Sequence, residues 1–232
     1  MDSARSVILL GINPISDYKG GEISALLSQL EYTDKEGIGF KNISLENDDI
    51  IVGEALKKVP VFLNVLNLDT QQIEKKEEFI LSEIDFTVDL ANNILEVYSN
   101  QQELRKLLIV FRTLVKDFLT ITQLSFSISS TLFAFKNLVN SVEVKKMLIK
   151  DFQHEDGVIG NYDARFYNTD VAWDFLEKHK DQVICTSFFA VSEEWEGIVT
   201  LDIAGKLKLN SKSKHSMTRL LDLLKPIISK NN

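Results

Sequence analysis

The 232-residue chain has little cysteine, proline or glycine: it contains one cysteine, three prolines and ten glycines. The single thiol, Cys185, excludes an intramolecular disulfide and any metal site built on several cysteines. No stretch is rich in glycine, serine or proline, so the sequence offers no flexible linker. Otherwise the composition, 44% hydrophobic and 26% charged, is that of a soluble globular protein and excludes a collagen-like or disordered chain.

The chain also lacks a long apolar run. The longest uncharged stretch, 118–135, contains eight Ser, Thr or Gln residues, whereas a membrane span needs about 20 mostly apolar residues. The apolar run near the N-terminus is too short for the core of a signal peptide, and Asp2 has the wrong charge for its start. These features predict a cytoplasmic protein without a membrane partner.

Hydrophobic periodicity predicts a mixed α+β chain. The clearest helix covers 101–118, where apolar residues recur at the i, i+3, i+4, i+7 spacing of a helix that buries one side. Further helices are predicted after Gly20-Gly21, over 169–179 and over 217–228. Strands are predicted at 6–12, near 38–44, 48–53 and 60–68, and over the alternating segment 124–128. Two hairpins are predicted, 79–97 with its turn at Ala91-Asn92-Asn93 and 197–209 with its turn near Ala204-Gly205-Lys206.

The two hairpin-helix segments align without a gap at an offset of 113 residues, close to half the chain length. Only five of the 33 aligned positions are identical, and hairpin-helix units share an apolar pattern without common ancestry. The offset is nevertheless what a tandem duplication leaves. The sequence therefore predicts two similar, closely packed α+β halves, 1–117 and 118–232, each ending in a β-hairpin followed by an amphipathic helix. The halves could also form one continuous domain.

Charge divides the chain into four alternating blocks. The net charges are −11 for 1–104, +6 for 105–150, −9 for 151–204 and +6 for 205–232, which leaves the chain at −8. Charge runs are usually solvated or paired surfaces, but a cationic loop that leads into a helix is also a suitable place for phosphate. The candidate nucleic-acid contacts are Lys206, Lys208, Lys212, Lys214, His215 and Arg219 in the second half, and Arg105, Lys106, Arg112 and Lys116 in the first.

These blocks favour a non-enzymatic nucleic-acid-binding protein that contacts the phosphate backbone, of DNA rather than RNA, through its basic hairpin-helix segments. The alternative is a protein-interaction or scaffold subunit, either a homodimer or a component of a complex. Its acidic and basic faces would then pair with each other, or its acidic faces would bind a basic protein partner. Neither hypothesis requires a cofactor.

A metal-dependent hydrolase or nuclease is the third hypothesis. His154, Glu155, Asp156 and Asp163 supply ligand types for a divalent metal, although Asp156-Gly157 is also a hairpin-turn signal. The segment 143–145 has the Glu-x-Lys spacing of many metal-dependent nucleases, but the nearest upstream acid is 26 residues away. Because such short patterns arise often by chance, no catalytic or metal-binding residue is assigned.

Overall fold

The computed structural model describes residues 3–15, 18–67, 71–211 and 215–230, which form a mixed α+β protein with a large antiparallel sheet and five helices. The strands are β1 (Ser3–Pro14), β2 (Ile38–Asn47), β3 (Ile50–Asn67), β4 (Gln72–Asp89), β5 (Ile94–Val97), β6 (Leu119–Thr122), β7 (Ser141–Glu155), β8 (Val158–Arg165), β9 (Val183–Val191), β10 (Glu196–Asp202) and β11 (Lys206–Ser211). The helices are α1 (Gly20–Gln29), α2 (Gln101–Leu114), α3 (Ile128–Lys136), α4 (Thr169–Lys178) and α5 (Ser216–Lys230). None of the described helices has the length and apolar character that crossing a membrane requires.

The chain divides into two compact units. The smaller unit contains Ile12–Leu90 and Val97–Ile121, and the larger unit contains Met1–Gly11, Ala91–Glu96 and Thr122–Asn232. In the smaller unit the strand order is β2–β3–β4, and in the larger unit it is β5–β1–β11–β10–β9–β7–β8. Each unit therefore takes residues from both sides of position 117.

Three phenylalanines form the centre of the smaller unit. Phe40 of β2, Phe86 of β4 and Phe111 of α2 are fully buried and meet edge to face, with ring centroids 5.0–5.7 Å apart. Edge-to-face pairs add stability beyond the burial of the rings themselves. The Asn100 side chain begins α2 by accepting hydrogen bonds from the backbone N–H groups of Gln102 and Glu103, as expected of an N-cap. This cap and the three rings fix α2 against the sheet.

The larger unit buries one face of its sheet against three helices. Its core cluster joins inward-facing strand residues with apolar residues of α3, α4 and α5. In β11, exposed and buried residues alternate strictly, as expected of a strand with one covered face. The predicted turns are confirmed at Asn93, with φ +54°, and at Gly205, with φ +78°. A Cβ atom at Gly205 would lie 2.2 Å from the carbonyl oxygen of Leu9, so only glycine fits there.

Two local predictions are wrong. The segment 124–128 is not a strand: β6 ends at Thr122 and α3 begins at Ile128. Leu124 and Phe126 are both buried, which produces the strand-like alternation, but Ser127 accepts a hydrogen bond from the backbone N–H of Ser130 and begins a helix. The strands predicted at 48–53 and 60–68 are not separate: residues 50–53 and 60–67 belong to one strand, β3, and Leu68 lies outside the described residues.

The two hairpin-helix segments have the same element order, with β4, β5 and α2 in one and β10, β11 and α5 in the other. That order was predicted from the apolar pattern. It does not confirm an internal duplication, because a strand-strand-helix unit is common among unrelated proteins.

A buried ion pair connects β5 with α5 in the larger unit. The ammonium nitrogen of Lys225 lies 2.7 Å from Oε1 of Glu96, and the two side chains are 9% and 3% exposed. These residues are 129 positions apart in the sequence. Lys225 belongs by sequence to the C-terminal basic block, but its charge is used inside the fold.

Replacing Lys225 by methionine should lower the free energy of unfolding by about 3–5 kcal/mol, because the Glu96 carboxylate would stay buried without this counter-charge. Urea denaturation followed by circular dichroism measures the change. The double variant Lys225→Met/Glu96→Met should recover much of the loss, since it removes both buried charges. Lys230→Met is the control, because Lys230 is exposed on the same helix. Equal stability of Lys225→Met and this control would contradict the prediction.

Candidate interaction surfaces

Three of the predicted cations form an exposed stripe on the smaller unit, here named the α2 stripe. Arg105 and Arg112 lie on α2, and Lys116 follows in the turn after it. Spacings of seven and four residues place side chains on one side of a helix. Ile109 lies between them and is 48% exposed. No described carboxylate is within ion-pair distance of the three cations, so their charges face solvent.

Lys106 faces a different side of α2 and is neutralised there. Its ammonium nitrogen lies 2.8 Å from Oε1 of Glu103, and the Ser82 hydroxyl donates a hydrogen bond to the other carboxylate oxygen. The hydrogen bond from Lys106, and second to it the one from Ser82, lower the pKa of Glu103 below its ordinary value. The charge of Lys106 is therefore balanced inside the smaller unit.

The second basic block is dispersed in the larger unit. Lys206 and Lys208 are exposed on one face of β11, as their spacing predicts, but the sheet neighbours of Lys208 are Ser6 and Thr200. Hydroxyl side chains, rather than further cations, therefore flank Lys208 in the sheet.

Other members of this block differ in their surroundings. Arg219 on α5 pairs with Glu194, with Nε 2.8 Å from Oε2. His215 is exposed just before α5. Lys212 and Lys214 lie outside the described residues. The structure therefore places five predicted cations in solvent without an ion pair to a described residue, namely Arg105, Arg112, Lys116, Lys206 and Lys208.

The candidate metal ligands do not converge in the part of the chain that the structure describes. Its side chains include no group of three His, Cys, Asp or Glu residues that could hold a metal ion; those of His154 and Glu155 lie outside it. Asp163 pairs with Lys146 at 2.7 Å. The predicted turn at Gly157 is confirmed, with φ +81°.

The other candidate reactive groups are engaged or protonated. Glu143 and Lys145, the Glu-x-Lys pair, form an ion pair with each other at 2.5 Å. Burial, with Asp202 as the next contributor, raises the pKa of the Cys185 thiol. Because the thiolate is the nucleophilic form, a protonated Cys185 is a poor nucleophile at neutral pH.

The most distinctive surface was not predicted from the sequence. β3 and β4 pair without interruption from Ile50↔Asp89 to Asn67↔Gln72, whereas β2 pairs with β3 only as far as Lys57. The paired segments 59–67 and 72–80, together with Leu81, therefore continue as a two-stranded ribbon, here named the arm. At about 3.3 Å per residue, the arm extends for roughly 30 Å.

Apolar side chains are exposed on both faces of the arm. Eight of them are 42–72% exposed, so no described element covers them: Phe62, Leu63, Val65, Leu66, Ile73, Phe79, Ile80 and Leu81. Charged residues are interspersed, including the ion pair between Lys76 and Glu78. The apolar run from Val59 to Leu66 was the available sequence signal, but such a run is typical of a buried strand.

The edge strands of the arm are protected against further pairing. Pro60 stands in β3 beyond the last residue that pairs with β2, where its missing N–H group interrupts the free edge. Lysines and glutamates recur along β4 from Glu74 to Glu78, and charged side chains discourage pairing at an edge. The arm therefore offers its faces, rather than its edges, for contact.

Replacing Lys106 by methionine should raise the pKa of Glu103 toward its ordinary value, because the largest cause of its lowering is removed. Since the folded-state pKa is depressed, the contact stabilises the protein above the unfolded-state pKa of about 4.3. That stability is lost as the pH falls through the folded-state pKa. At neutral pH the variant should lose no more than about 1 kcal/mol, because the pair is partly exposed. Carboxyl-carbon NMR titration measures the pKa, and an unchanged Glu103 titration would contradict the assignment.

No model of a protein family matches the chain, and no curated protein matches it either. The exposed stripe and the arm are the surfaces from which a function can be inferred.

Proposed function

We propose that this chain is a non-enzymatic protein-interaction subunit, a member of a homodimer or a larger complex, that binds its partner through the arm. The observation that supports the proposal is the set of eight large apolar side chains on the arm, each 42–72% exposed. Soluble proteins rarely expose contiguous apolar patches above a few hundred Å², and larger ones mark interaction sites. A cytoplasmic location, based on the scarcity of cysteine, stays part of this proposal.

The geometry of the arm gives a physical reason for a partner. An isolated two-stranded hairpin is at best marginally stable in water, whereas a third element packed on its face stabilises it. Among the described residues, the smaller unit provides such support near the base of the arm, where Ser82 hydrogen-bonds to Glu103 of α2. A partner surface laid on the outer part would remove its apolar side chains from water.

Charge pairing contributes less to this interface than the sequence suggested. Several charges of the acidic and basic blocks are paired within the chain, as in Arg219–Glu194, Lys146–Asp163 and Lys145–Glu143. The arm itself has only a small charge excess, since its segments 59–67 and 72–81 contain two lysines and three glutamates. An interface on the arm is therefore mainly apolar, and added salt should not dissociate it.

The arm should determine the native mass of the assembly. We expect the tagged chain, isolated from cells that express it and analysed by native mass spectrometry, to have a mass above that of its own monomer, which is 26.4 kDa plus the tag. Phe62→Ser/Phe79→Ser should return it to the monomer mass, because two exposed aromatic anchors are lost. The control is Arg105→Glu/Arg112→Glu/Lys116→Glu, which changes another surface. A wild-type chain found only as the monomer would contradict the proposal.

Nucleic-acid binding is the second candidate function, and the α2 stripe is the observation that favours it. Arg105, Arg112 and Lys116 line one side of a helix and its following turn, are exposed, and form no ion pair with a described carboxylate. Such a row of cations can follow a phosphate backbone. The net charge of −8 opposes nonspecific attraction of polyanions, so binding would depend on this local surface.

Reversing the stripe tests the second candidate. Arg105→Glu/Arg112→Glu/Lys116→Glu should weaken binding of labelled duplex DNA by roughly tenfold or more at low salt and flatten its salt dependence. Fluorescence anisotropy across a salt series measures both effects, with single-stranded DNA and duplex RNA for comparison. Lys35→Glu/Lys41→Glu/Lys178→Glu is the control, because it changes the net charge equally at scattered exposed lysines. Equal affinities of the two variants would exclude the stripe as the binding surface.

We also retain the internal duplication as a proposal about the origin of the chain. β4 and β10 end 113 residues apart, at Asp89 and Asp202, and β5 and β11 begin 112 residues apart, at Ile94 and Lys206. This near-constant offset extends over three consecutive elements, because α2 and α5 begin 115 residues apart. The correspondence supports a tandem origin for these segments.

A further inference from the structure

We propose that the outer face of the arm binds the same face of a second copy of this chain, so that the arm is a homodimerisation element with two-fold symmetry. This inference rests on the proposed function and adds the identity of the partner. The outer face is the side that carries Phe62 and Leu66 of β3 and Ile73, Phe79 and Leu81 of β4. The register pairs Leu66 with Ile73 and Pro60 with Phe79, and alternate residues of each strand share a face.

The outer face has the area that a dimer needs. Its five apolar side chains are 45–72% exposed, which at about 150–200 Å² for a whole side chain gives roughly 500 Å² of exposed apolar surface. The polar side chains between them bring the face toward the roughly 800 Å² that each partner contributes to a standard interface. Both phenylalanines lie on this face, and aromatic residues are frequent binding anchors.

The charges of the outer face suit a copy of itself. Lys75 and Glu77 lie on this side of β4, two residues apart. A two-fold axis that crosses the ribbon midway between them places each lysine opposite the glutamate of the other copy and each Phe79 opposite Ile73. Such an isologous contact must be self-complementary, and this arrangement forms two opposite-charge pairs beside the axis, with apolar contacts on either side of them.

The small charge of the arm also favours a second copy. The chain has a net charge of −8, whereas the arm segments 59–67 and 72–81 contain two lysines and three glutamates, a net charge of −1. Two copies therefore repel each other less at the arm than they would if the arm were as acidic as the rest of the chain. A strongly acidic or basic partner would find little charge excess on this segment to complement.

The inner face of the arm provides a matched comparison. It carries Leu63 and Ile80, which are 48% and 49% exposed, and the Lys76–Glu78 ion pair. This face continues toward the side of the sheet on which Ser82 contacts α2. It has no exposed aromatic residue, so its truncation removes similar apolar area without removing an anchor.

Sedimentation equilibrium of the purified full-length chain, from about 1 to 100 µM, tests the inference, since interfaces of this size have Kd values of about 1 µM or tighter. We expect twice the 26.4 kDa monomer mass for the wild type. Phe62→Ser/Phe79→Ser should raise the dimer Kd by roughly a hundredfold or more. Leu63→Ser/Ile80→Ser should leave the dimer largely intact. Circular dichroism establishes that each variant is folded.

A charge exchange tests the two-fold arrangement. Lys75→Glu and Glu77→Lys should each weaken the dimer by roughly tenfold, because like charges would then face each other across the interface. The double variant Lys75→Glu/Glu77→Lys should restore it, since the opposite pairs are rebuilt with exchanged signs. Failure of the double variant to restore the dimer would overturn the two-fold contact.

Other outcomes separate this inference from the proposed function. A purified wild type that stays monomeric at all concentrations overturns the homodimer, while an arm-dependent native mass that is not a multiple of 26.4 kDa would still support an interaction subunit. A dimer lost with Leu63→Ser/Ile80→Ser but not with Phe62→Ser/Phe79→Ser overturns the choice of face. Cosedimentation of the chain with vesicles of phosphatidylcholine and phosphatidylserine, abolished by Phe62→Ser/Phe79→Ser, overturns a protein occupant in favour of lipid.

Discussion

The uninterrupted register between β3 and β4 is the constraint on which the smaller unit and its arm both depend. The same ladder holds Ala55 opposite Ile84 in the core and Pro60 opposite Phe79 in solvent. Because neighbouring strand residues point to opposite faces, a slip by one residue would turn Phe86 away from Phe40 and Phe111. The aromatic core at one end therefore fixes which side chains the arm presents on each face at the other end.

The larger unit is fixed differently, by a buried charge as well as by apolar packing. Lys225 and Glu96 could in principle be replaced by well-packed apolar residues at little cost, because desolvation offsets most of their attraction. The pair also makes a misplaced β5 or α5 costly, because moving either charge away would leave the other buried without this counter-charge. It thereby links a four-residue strand, β5, to the C-terminal helix, 129 residues away in sequence.

The sequence predicted the elements whose signals are local. The helices α2, α4 and α5 follow from their apolar spacing, and the turns at Asn93 and Gly205 follow from residues that tolerate positive φ. The arm could not be predicted, because the run from Val59 to Leu66 has the composition of a buried strand and only the pairing partners reveal that no described element covers it. α3 was missed for a related reason: Leu124 and Phe126 are buried in alternation without being part of a strand.

The charge blocks show the same limit of sequence-based prediction for the candidate interaction surfaces. Net charge along a sequence does not indicate which side chains neutralise one another, because ion pairs form between residues that the fold brings together. Arg219 and Glu194 come from blocks of opposite sign and meet in the larger unit, and Lys225 is withdrawn into the core by Glu96. The local pair of Lys106 and Glu103 spans the boundary between two blocks.

The cations that stay in solvent on α2 are those whose helical spacing turns them away from Glu103 and from the buried side of the helix. The charge pattern of a sequence therefore identifies a charged surface only when the orientation of each helix and the long-range ion pairs are known. Here ion pairs neutralise some of the basic residues, and the apolar arm is the more distinctive contact surface.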